Sequence, residues 1–314
     1  MITSFFKTSK PIHYIIFLIV LISVFGYQRI IVVDYKGAFS NTLSEIGFLL
    51  IFITSFFTLI FIVTKNNLTH NNGYAALYFC LFIGLIPSSL ETNYLLISNL
   101  FILLSLRRIM SLKTNSNIKK KLFDASIWIC SAAIFEPWAI LFFLLLFFGM
   151  GYYSVTQIKN ILIPFCGILV VGFFLISYQL LTENTLPNFS EYLPSVNFDK
   201  DSFNNKIIQT ESLQFLAIVL FGFASFIVNA VLKNRLNQPS SWVLILAILI
   251  AITIVFITPN HSLGLYLFAF APSSIVLANF SETTKYPWVS ELVIGCLLFA
   301  VLLQMSLNIS ILIN

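Results

Sequence analysis

The stretch from Leu106 to Asp124 reads LRRIMSLKTNSNIKKKLFD, and it decides how the fold is oriented. Two long apolar runs flank it, and between them stand six basic residues: Arg107, Arg108, Lys113, Lys119, Lys120 and Lys121. Positive charge beside membrane spans stays on the cytoplasmic side. This basic cytoplasmic loop, about residues 107–121, therefore sets the sidedness of every other segment, which is counted outward from it.

The composition is that of a multi-pass membrane protein. Hydrophobic residues make up 59% of the 314 positions and charged residues only 9%, which excludes an ordinary soluble domain. The formal net charge is +5, but the basic residues stand in short loops and not along a helix face. They are therefore interpreted as topology determinants, and no nucleic-acid partner is predicted.

The N-terminus and the overall residue usage indicate a membrane. Lys7 and Lys10 precede an apolar run that is too long for a signal-peptide core and lacks a cleavage motif, which predicts a permanent span. The abundance of Phe, Ile, Leu, Asn and Lys is typical of a low-GC bacterium. We therefore expect the chain to lie in the bacterial inner (cytoplasmic) membrane.

Apolar runs alternate with polar turns along the whole chain. They predict an all-α, polytopic transmembrane bundle that forms a single integral membrane domain over residues 1–314, with the N-terminus inside and the C-terminus outside. About eleven membrane segments are expected, some of them short or broken: 12–28, 43–64, 74–86, 92–110, 123–135, 137–153, 158–181, 213–232, 242–258, 263–279 and 288–311. The longest polar segment, about 182–211, is predicted to be a periplasmic loop.

The two segments after the basic loop are predicted to form a hairpin. The run from Phe123 to Phe135 is shorter than the roughly 20 residues that cross a bilayer. It ends at Glu136-Pro137, and proline begins a helix while it pushes the preceding residue out of the α region. We therefore expect a helical hairpin whose tip, on the outer side, holds Glu136 and Trp138.

Ionisable groups at the mouths of spans are the candidate functional residues. The predicted topology brings these to the outer face: Arg29, Asp34, Lys36, Glu45, Glu91, Glu136 and His261. Asp34 is the candidate general base, and Arg29 and Lys36 would hold an anionic headgroup or phosphate. The alternative is structural, because arginine and lysine also reach the headgroups from helix ends and carboxylates also cap helices.

The remaining candidates are open to two interpretations. Glu91 and Glu136 stand at proline-containing helix ends, where they bind a hydroxyl-rich substrate or satisfy free backbone donors. His261, after Pro259-Asn260, is a substrate contact or a turn residue. No spacing of His, Cys, Asp and Glu indicates a metal site, and the chain has no phosphate-binding loop or dinucleotide motif. No metal and no cofactor are predicted.

Two resemblances add to these expectations. The start MITSFFKTSKPIHYIIF and the blocks NYLLISNLFILLSLRRIMSLK and KKKLFDASIWICSAAIFEPWAILFF resemble the uncharacterised DUF6427-type family of polytopic membrane proteins from Bacteroidota. The order of segments is also similar, at the level of hydropathy, to the C-superfamily of polyprenyl-phosphate-sugar glycosyltransferases. The shared features are an acidic residue in the first outer loop, a short third segment, a fourth segment that is Asn-rich, then Leu-rich, then basic, and a hairpin of short helices before a long one.

The second resemblance implies an activity. It assigns the catalytic base to Asp34 and implies a polyprenyl-phosphate-linked sugar as donor substrate. The sequence departs from that superfamily, because Asp34-Tyr35-Lys36 is not a paired-acid motif and no large outer domain follows the spans. Either the enzyme is divergent or the scaffold has lost catalysis.

Two functions follow as hypotheses. The first is an inner-membrane glycosyltransferase-like protein that acts on a lipid-linked sugar or glycan at the periplasmic face. The second is a non-catalytic membrane subunit of a larger envelope complex for secretion, motility or transport. The expected partners are membrane lipids, with polyprenyl phosphate for the first hypothesis and membrane-protein subunits for the second.

Overall fold

The computed structural model describes residues 2–29, 39–184, 206–232, 239–258, 262–284 and 286–313. In these ranges the protein is all-α, as predicted, and contains no strand. The α-helices in chain order are α1 Ile2–Phe6, α2 Pro11–Tyr27, α3 Phe39–Asn66, α4 Tyr74–Leu85, α5 Asn93–Met110, α6 Ile118–Phe135, α7 Phe142–Tyr152, α8 Ile158–Ile161, α9 Ile163–Glu183, α10 Lys206–Leu232, α11 Pro239–Ile257, α12 Leu267–Thr283 and α13 Pro287–Ile313. Short 3₁₀ helices cover Pro87–Leu90, Ser111–Thr114, Pro137–Leu141 and Leu263–Tyr266.

The eleven predicted segments correspond to helices of the described chain. Six helical stretches are long and apolar enough to cross a membrane, and four shorter ones are apolar over 10 to 17 residues. The eleventh is α6, whose first turns carry Lys119, Lys120, Lys121 and Asp124. The protein is thus a polytopic helical bundle with short and broken members, as the hydropathy pattern indicates.

Contacts between distant helices place alternate connections at the same end of the bundle. At one end the backbone N–H of His70 donates to Glu282 at 3.0 Å, and Gly149 on α7 packs against Ile109 on α5. We call this the basic end, and it comprises the connections 67–73, 111–117 and 153–157 together with residues 284 and 286. It carries all six basic residues of the stretch from Leu106 to Asp124.

The other end of the bundle is called the opposite end, and it comprises residues 28–29, 86–92, 136–141 and 262–266. Here Ser98 on α5 donates to the carbonyl of Ala132 on α6 at 3.0 Å, and Gly264 lies against Leu95. The assignment of connections to two ends agrees with the alternation predicted from charge. Which end faces the cytoplasm remains the prediction of the positive-inside rule.

The predicted hairpin is confirmed, with a corrected boundary. Helix α6 ends at Phe135, Glu136 adopts an extended conformation (φ −136°, ψ 103°), and α7 then returns toward the basic end. The first arm begins at Ile118, five residues earlier than predicted. The lysines of its first turn do not prevent helix formation, because Lys119 and Lys120 are exposed to solvent and the ammonium of Lys121 donates to Ser111 and Thr114 just before the helix.

The predicted outer loop is also shorter than expected. Helix α9 continues to Glu183 and α10 already begins at Lys206, so the polar segment 182–211 overlaps helices at both its ends. Glu211 was predicted to lie in this loop, and that placement is wrong. It lies within α10 and is fully buried, and its carboxylate accepts a hydrogen bond from Gln304 of α13 at 2.6 Å.

The packed centre is formed by α4 and α12. Every residue of α4 is buried, and so are 94% of the residues in the most apolar part of the α12 span. Phe82 and Phe270 from these helices pack with Phe215 of α10, with ring centroids 5.2 to 5.9 Å apart. The span that contains α9 is the least buried of the six long spans, since only 11% of the residues in its most apolar part are buried.

Candidate functional site at the opposite end

Arg29 joins three parts of the chain at the opposite end. It follows α2, and its Nε lies 3.1 Å from Oε2 of Glu45 on α3. One terminal nitrogen donates to the backbone carbonyl of Glu91 at 3.2 Å, and the other donates to the side-chain oxygen of Asn93. Only 7% of Arg29 is exposed. The guanidinium therefore fixes the ends of α2, α3 and α5 relative to one another.

The local sequence explains why these acceptors converge on Arg29. Pro87 ends α4 and begins a 3₁₀ turn, and Thr92 is extended before α5 starts at Asn93. The carbonyl of Glu91 thus remains outside any helical ladder and is free to accept from Arg29. A planar guanidinium with five donors suits such a group of separate acceptors.

The electrostatics of the site are balanced between burial and charge. Burial lowers the pKa of Arg29, while the carboxylates of Glu45 and Glu91 oppose that shift. Arginine remains protonated throughout the physiological range, so the pair with Glu45 is an ion pair in a poorly solvated position. Both terminal nitrogens of Arg29 donate hydrogen bonds and its Nε lies in the ion pair with Glu45, so the side chain positions helices.

Two buried polar side chains beside this cluster lack partners among the described residues. Gln28 is fully buried, and neither its amide nitrogen nor its amide oxygen makes a hydrogen bond. The hydroxyl of Ser89 is also fully buried and makes no hydrogen bond to a described residue. Buried polar groups are nearly always satisfied, so unpartnered ones mark a place for bound water or a polar ligand group.

Glu136 lies at the same end, next to Tyr94, with which it interacts electrostatically. It is 6% exposed, and its carboxylate accepts from the backbone N–H of Trp138 at 3.4 Å. Burial raises the pKa of Glu136, and the Trp138 N–H partly opposes that rise. Of the two sequence-based interpretations, the contact with Trp138 shows that this carboxylate caps the 3₁₀ turn.

The structure thus brings four of the seven candidate residues to one end, namely Arg29, Glu45, Glu91 and Glu136. Glu91 contributes its backbone carbonyl to Arg29, and its side chain is exposed. The other three predicted site residues, Asp34, Lys36 and His261, lie outside the described residues. Their assignment as catalytic base and substrate contacts stays a prediction. Within the described ranges no group of three or more His, Cys, Asp or Glu side chains is arranged to hold a metal.

Sequence reasoning missed the pair of Glu211 and Gln304, because it assigned Glu211 to a polar loop. The available signal was Gln304 itself, an amide in the middle of the apolar run VLLQMSL. Polar side chains inside a span usually face the bundle interior, where they find a partner on another helix.

A groove of about 460 Å³ runs between α10 and α13 beside this pair. Gln214, one turn after Glu211, lines it together with apolar residues from both helices, among them Phe221, Phe299 and Leu303. On α13 it extends from Leu292 to Leu303, about 17 Å at 1.5 Å per residue. That is about half of the hydrocarbon thickness of a bilayer, so the groove has the length and the apolar lining for part of a lipid chain.

Comparison with known proteins gives one family. A family of unknown function, DUF6427, matches residues 7–312. This chain belongs to the DUF6427 family. No curated protein and no solved structure matches it. The resemblance seen in the N-terminal start and in the blocks around the basic stretch is therefore confirmed, and the family carries no assigned activity to this chain.

Proposed function

We propose that this DUF6427 protein is a glycosyltransferase-like protein that acts on a lipid-linked sugar or glycan at its opposite end. By the positive-inside rule that end is the periplasmic face of a bacterial inner membrane. The observation that supports the proposal is the groove between α10 and α13, which combines an apolar slot with the buried Glu211 and Gln304 pair beside it. A lipid-linked substrate has the same two parts, a hydrocarbon chain and a polar head.

In this proposal Arg29 and Asp34 have separate roles. Arg29, clamped between Glu45, Glu91 and Asn93, positions the helix ends around the polar head. Asp34, five residues further along the chain, is the proposed base that takes the proton from the acceptor hydroxyl. A positioned base contributes about 10²- to 10⁴-fold to such a transfer. The donor is proposed to be a polyprenyl-phosphate-linked sugar.

The decisive experiment removes the basicity of Asp34 without changing its size. Asp34→Asn, at wild-type protein level in cells that depend on this chain, should abolish glycan extension and leave the protein inserted. Glu183→Gln, an exposed carboxylate at the end of α9, is the matched control and should leave the glycans unchanged. Glycans of wild-type length and composition in the Asp34→Asn cells would rule out the catalytic proposal.

The groove is tested separately by filling it. Ala300 lines the groove, whereas the Cβ position of Gly295 on the same helix meets nothing within 4 Å. Ala300→Phe should therefore displace co-purifying lipid and lower activity, and Gly295→Phe should do neither. Equal lipid content in both variants would show that the groove does not hold the substrate chain.

A second function, a non-catalytic subunit of an envelope complex, is favoured by helix α9. This helix packs on α6 where Gly167 meets Ser126, and five residues later Gly172 has open space at its Cβ position. A small residue on an exposed flank suits close approach of a partner helix. If Gly172→Leu abolishes the cellular function while Asp34→Asn retains it, the subunit role is the better account.

A further inference from the structure

A polar cavity of about 520 Å³ lies at the basic end, far from the proposed transfer site. It is enclosed by α1, the connection 67–73, the end of α12 and the start of α13. The lining combines hydroxyl, amide and charged side chains, in contrast to the apolar groove between α10 and α13. The residues that matter for its chemistry are Lys7, His70, Asn72, Glu282 and Ser290.

The walls of this cavity are held by hydrogen bonds between distant parts of the chain. Glu282, at the end of α12, accepts from the backbone N–H of His70 at 3.0 Å and from the side-chain amide of Asn72. On the other side, the hydroxyl of Tyr74 donates to the carbonyl of Thr3 at 2.8 Å. The cavity is therefore a built feature of the fold and not a gap between loose segments.

Two lining groups remain without partners in the part of the chain that the structure describes. Ser290 is only 2% exposed, and its hydroxyl makes no hydrogen bond there. Lys7 lines the same space and forms no ion pair with a described carboxylate. A buried hydroxyl without a partner loses the full solvation of its polar atom, so its presence indicates a ligand or water that supplies the bond.

The charges of the lining select the ligand. Lys7 favours an anionic group, while the carboxylate of Glu282 opposes a purely anionic molecule and attracts a cation. A ligand that carries both charges is complementary to both Lys7 and Glu282. The cavity also lies where α4 and α13 begin and α12 ends, which is the depth of lipid headgroups for spans of this kind.

We propose that this cavity binds a zwitterionic phosphoester of the phosphoethanolamine type. The phosphate would face Lys7 and the hydroxyl of Ser290, and the ammonium would face Glu282. The same chemistry occurs in a phospholipid headgroup and in a free, water-soluble phosphoester, and the test separates these two sources.

The test uses the full-length, delipidated protein in detergent and native mass spectrometry. Phosphatidylethanolamine and phosphatidylglycerol with the same acyl chains are added, and wild type should prefer the former. Lys7→Gln should weaken phosphatidylethanolamine binding about tenfold, the effect of one charge-assisted contact. Glu282→Gln, which keeps an acceptor for His70 and Asn72, should weaken it similarly. Lys10→Gln, an exposed lysine three residues away, is the matched control and should change nothing.

Blocking the cavity provides a second readout. Ser290→Phe should abolish the preference between the two lipids, and if that variant fails to insert, Ser290→Ala should reduce it severalfold. Competition by glycerophosphoethanolamine would identify the headgroup alone as sufficient, and its failure would identify the intact lipid. Equal binding of both lipids to wild type, or equal effects of Lys7→Gln and Lys10→Gln, would overturn the proposal.

Discussion

The two ends of the bundle hold similar ion pairs in different surroundings. At the opposite end Arg29 and Glu45 are 3.1 Å apart, and at the basic end Arg108 and Asp124 are 2.7 Å apart. The carboxylates are equally exposed, at 22% and 21%, but the arginine side chains differ, at 9% against 31%. We expect the Arg29–Glu45 pair to stabilise the fold more than the Arg108–Asp124 pair, although its contact is longer. Arg29 is more deeply buried and donates to two additional acceptors, and both raise the free-energy cost of losing it.

Removal of Arg29 should have the largest effect. Arg29→Gln leaves Glu45 without its counter-charge in a poorly solvated position, which should lower the free energy of unfolding by about 3 kcal/mol. Arg108→Gln, the matched variant at the basic end, should lower it by less than about 1 kcal/mol. Thermal unfolding in detergent measures both. Equal losses would show that depth in the bundle does not distinguish the two pairs.

Loss of Glu211 should be intermediate. Glu211→Ala leaves the amide of Gln304 buried without its acceptor, which should reduce the free energy of unfolding by about 2 kcal/mol. Glu211→Gln retains an acceptor oxygen and should lose much less. The same unfolding assay compares the two, and a larger loss for Gln than for Ala would contradict a hydrogen-bonding role.

Lys121, a buried cation at the basic end, should also stabilise the fold. Lys121 is 9% exposed and donates to the carbonyl of Ser111 at 2.5 Å and to the hydroxyl of Thr114 at 2.7 Å. Lys121→Met removes both bonds and should cost about 1 kcal/mol. Lys119→Met, at an exposed position of the same helix, is the control. If both variants unfold together with wild type, the two hydrogen bonds of Lys121 do not stabilise the fold.

The smallest effect, and the one that depends on pH, is expected at Glu136. Since burial raises its pKa in the folded state, this group stabilises the fold at low pH, and that contribution is lost as pH rises through the folded pKa. Glu136→Gln should therefore increase stability by less than about 1 kcal/mol at neutral pH and have no effect in acid. Unfolding curves across pH measure it, with Glu183→Gln as control. A stabilising effect that persists in acid would point to a cause other than titration.

The apolar runs predicted the positions of the spans well, whereas the polar residues did not predict which side chains they contact. The hairpin at Glu136-Pro137 was predictable because proline restricts the backbone locally, whatever surrounds it. Glu211 was not, because its burial depends on Gln304, which lies 93 residues away in the chain. The same holds for the partners of Arg29, which come from two separate segments, α3 and the turn that leads into α5.

Helices α9 and α12 show the same limit for the spans themselves. The stretch Ile158–Glu183, which contains α9, has a mean hydropathy of 2.5, and Leu263–Thr283, which contains α12, has 1.6, yet α12 is the more deeply buried of the two. In a membrane the lipid is as apolar as any side chain. Small and weakly polar residues therefore lie at helix–helix contacts, and the most hydrophobic helix faces contact the lipid. Hydropathy identifies both as spans, and only packing assigns one to the centre and the other to the flank.

The sequence by itself determined the class of fold, the number of segments, the break at Glu136-Pro137 and the alternation of connections between two ends. These follow from local chemistry, because hydrocarbon requires apolar runs of a given length and a satisfied backbone. The tertiary structure alone decided which polar groups meet: Arg29 with Glu45 and Asn93, and Glu211 with Gln304. Such pairs form between helices remote in sequence, and no local pattern specifies them.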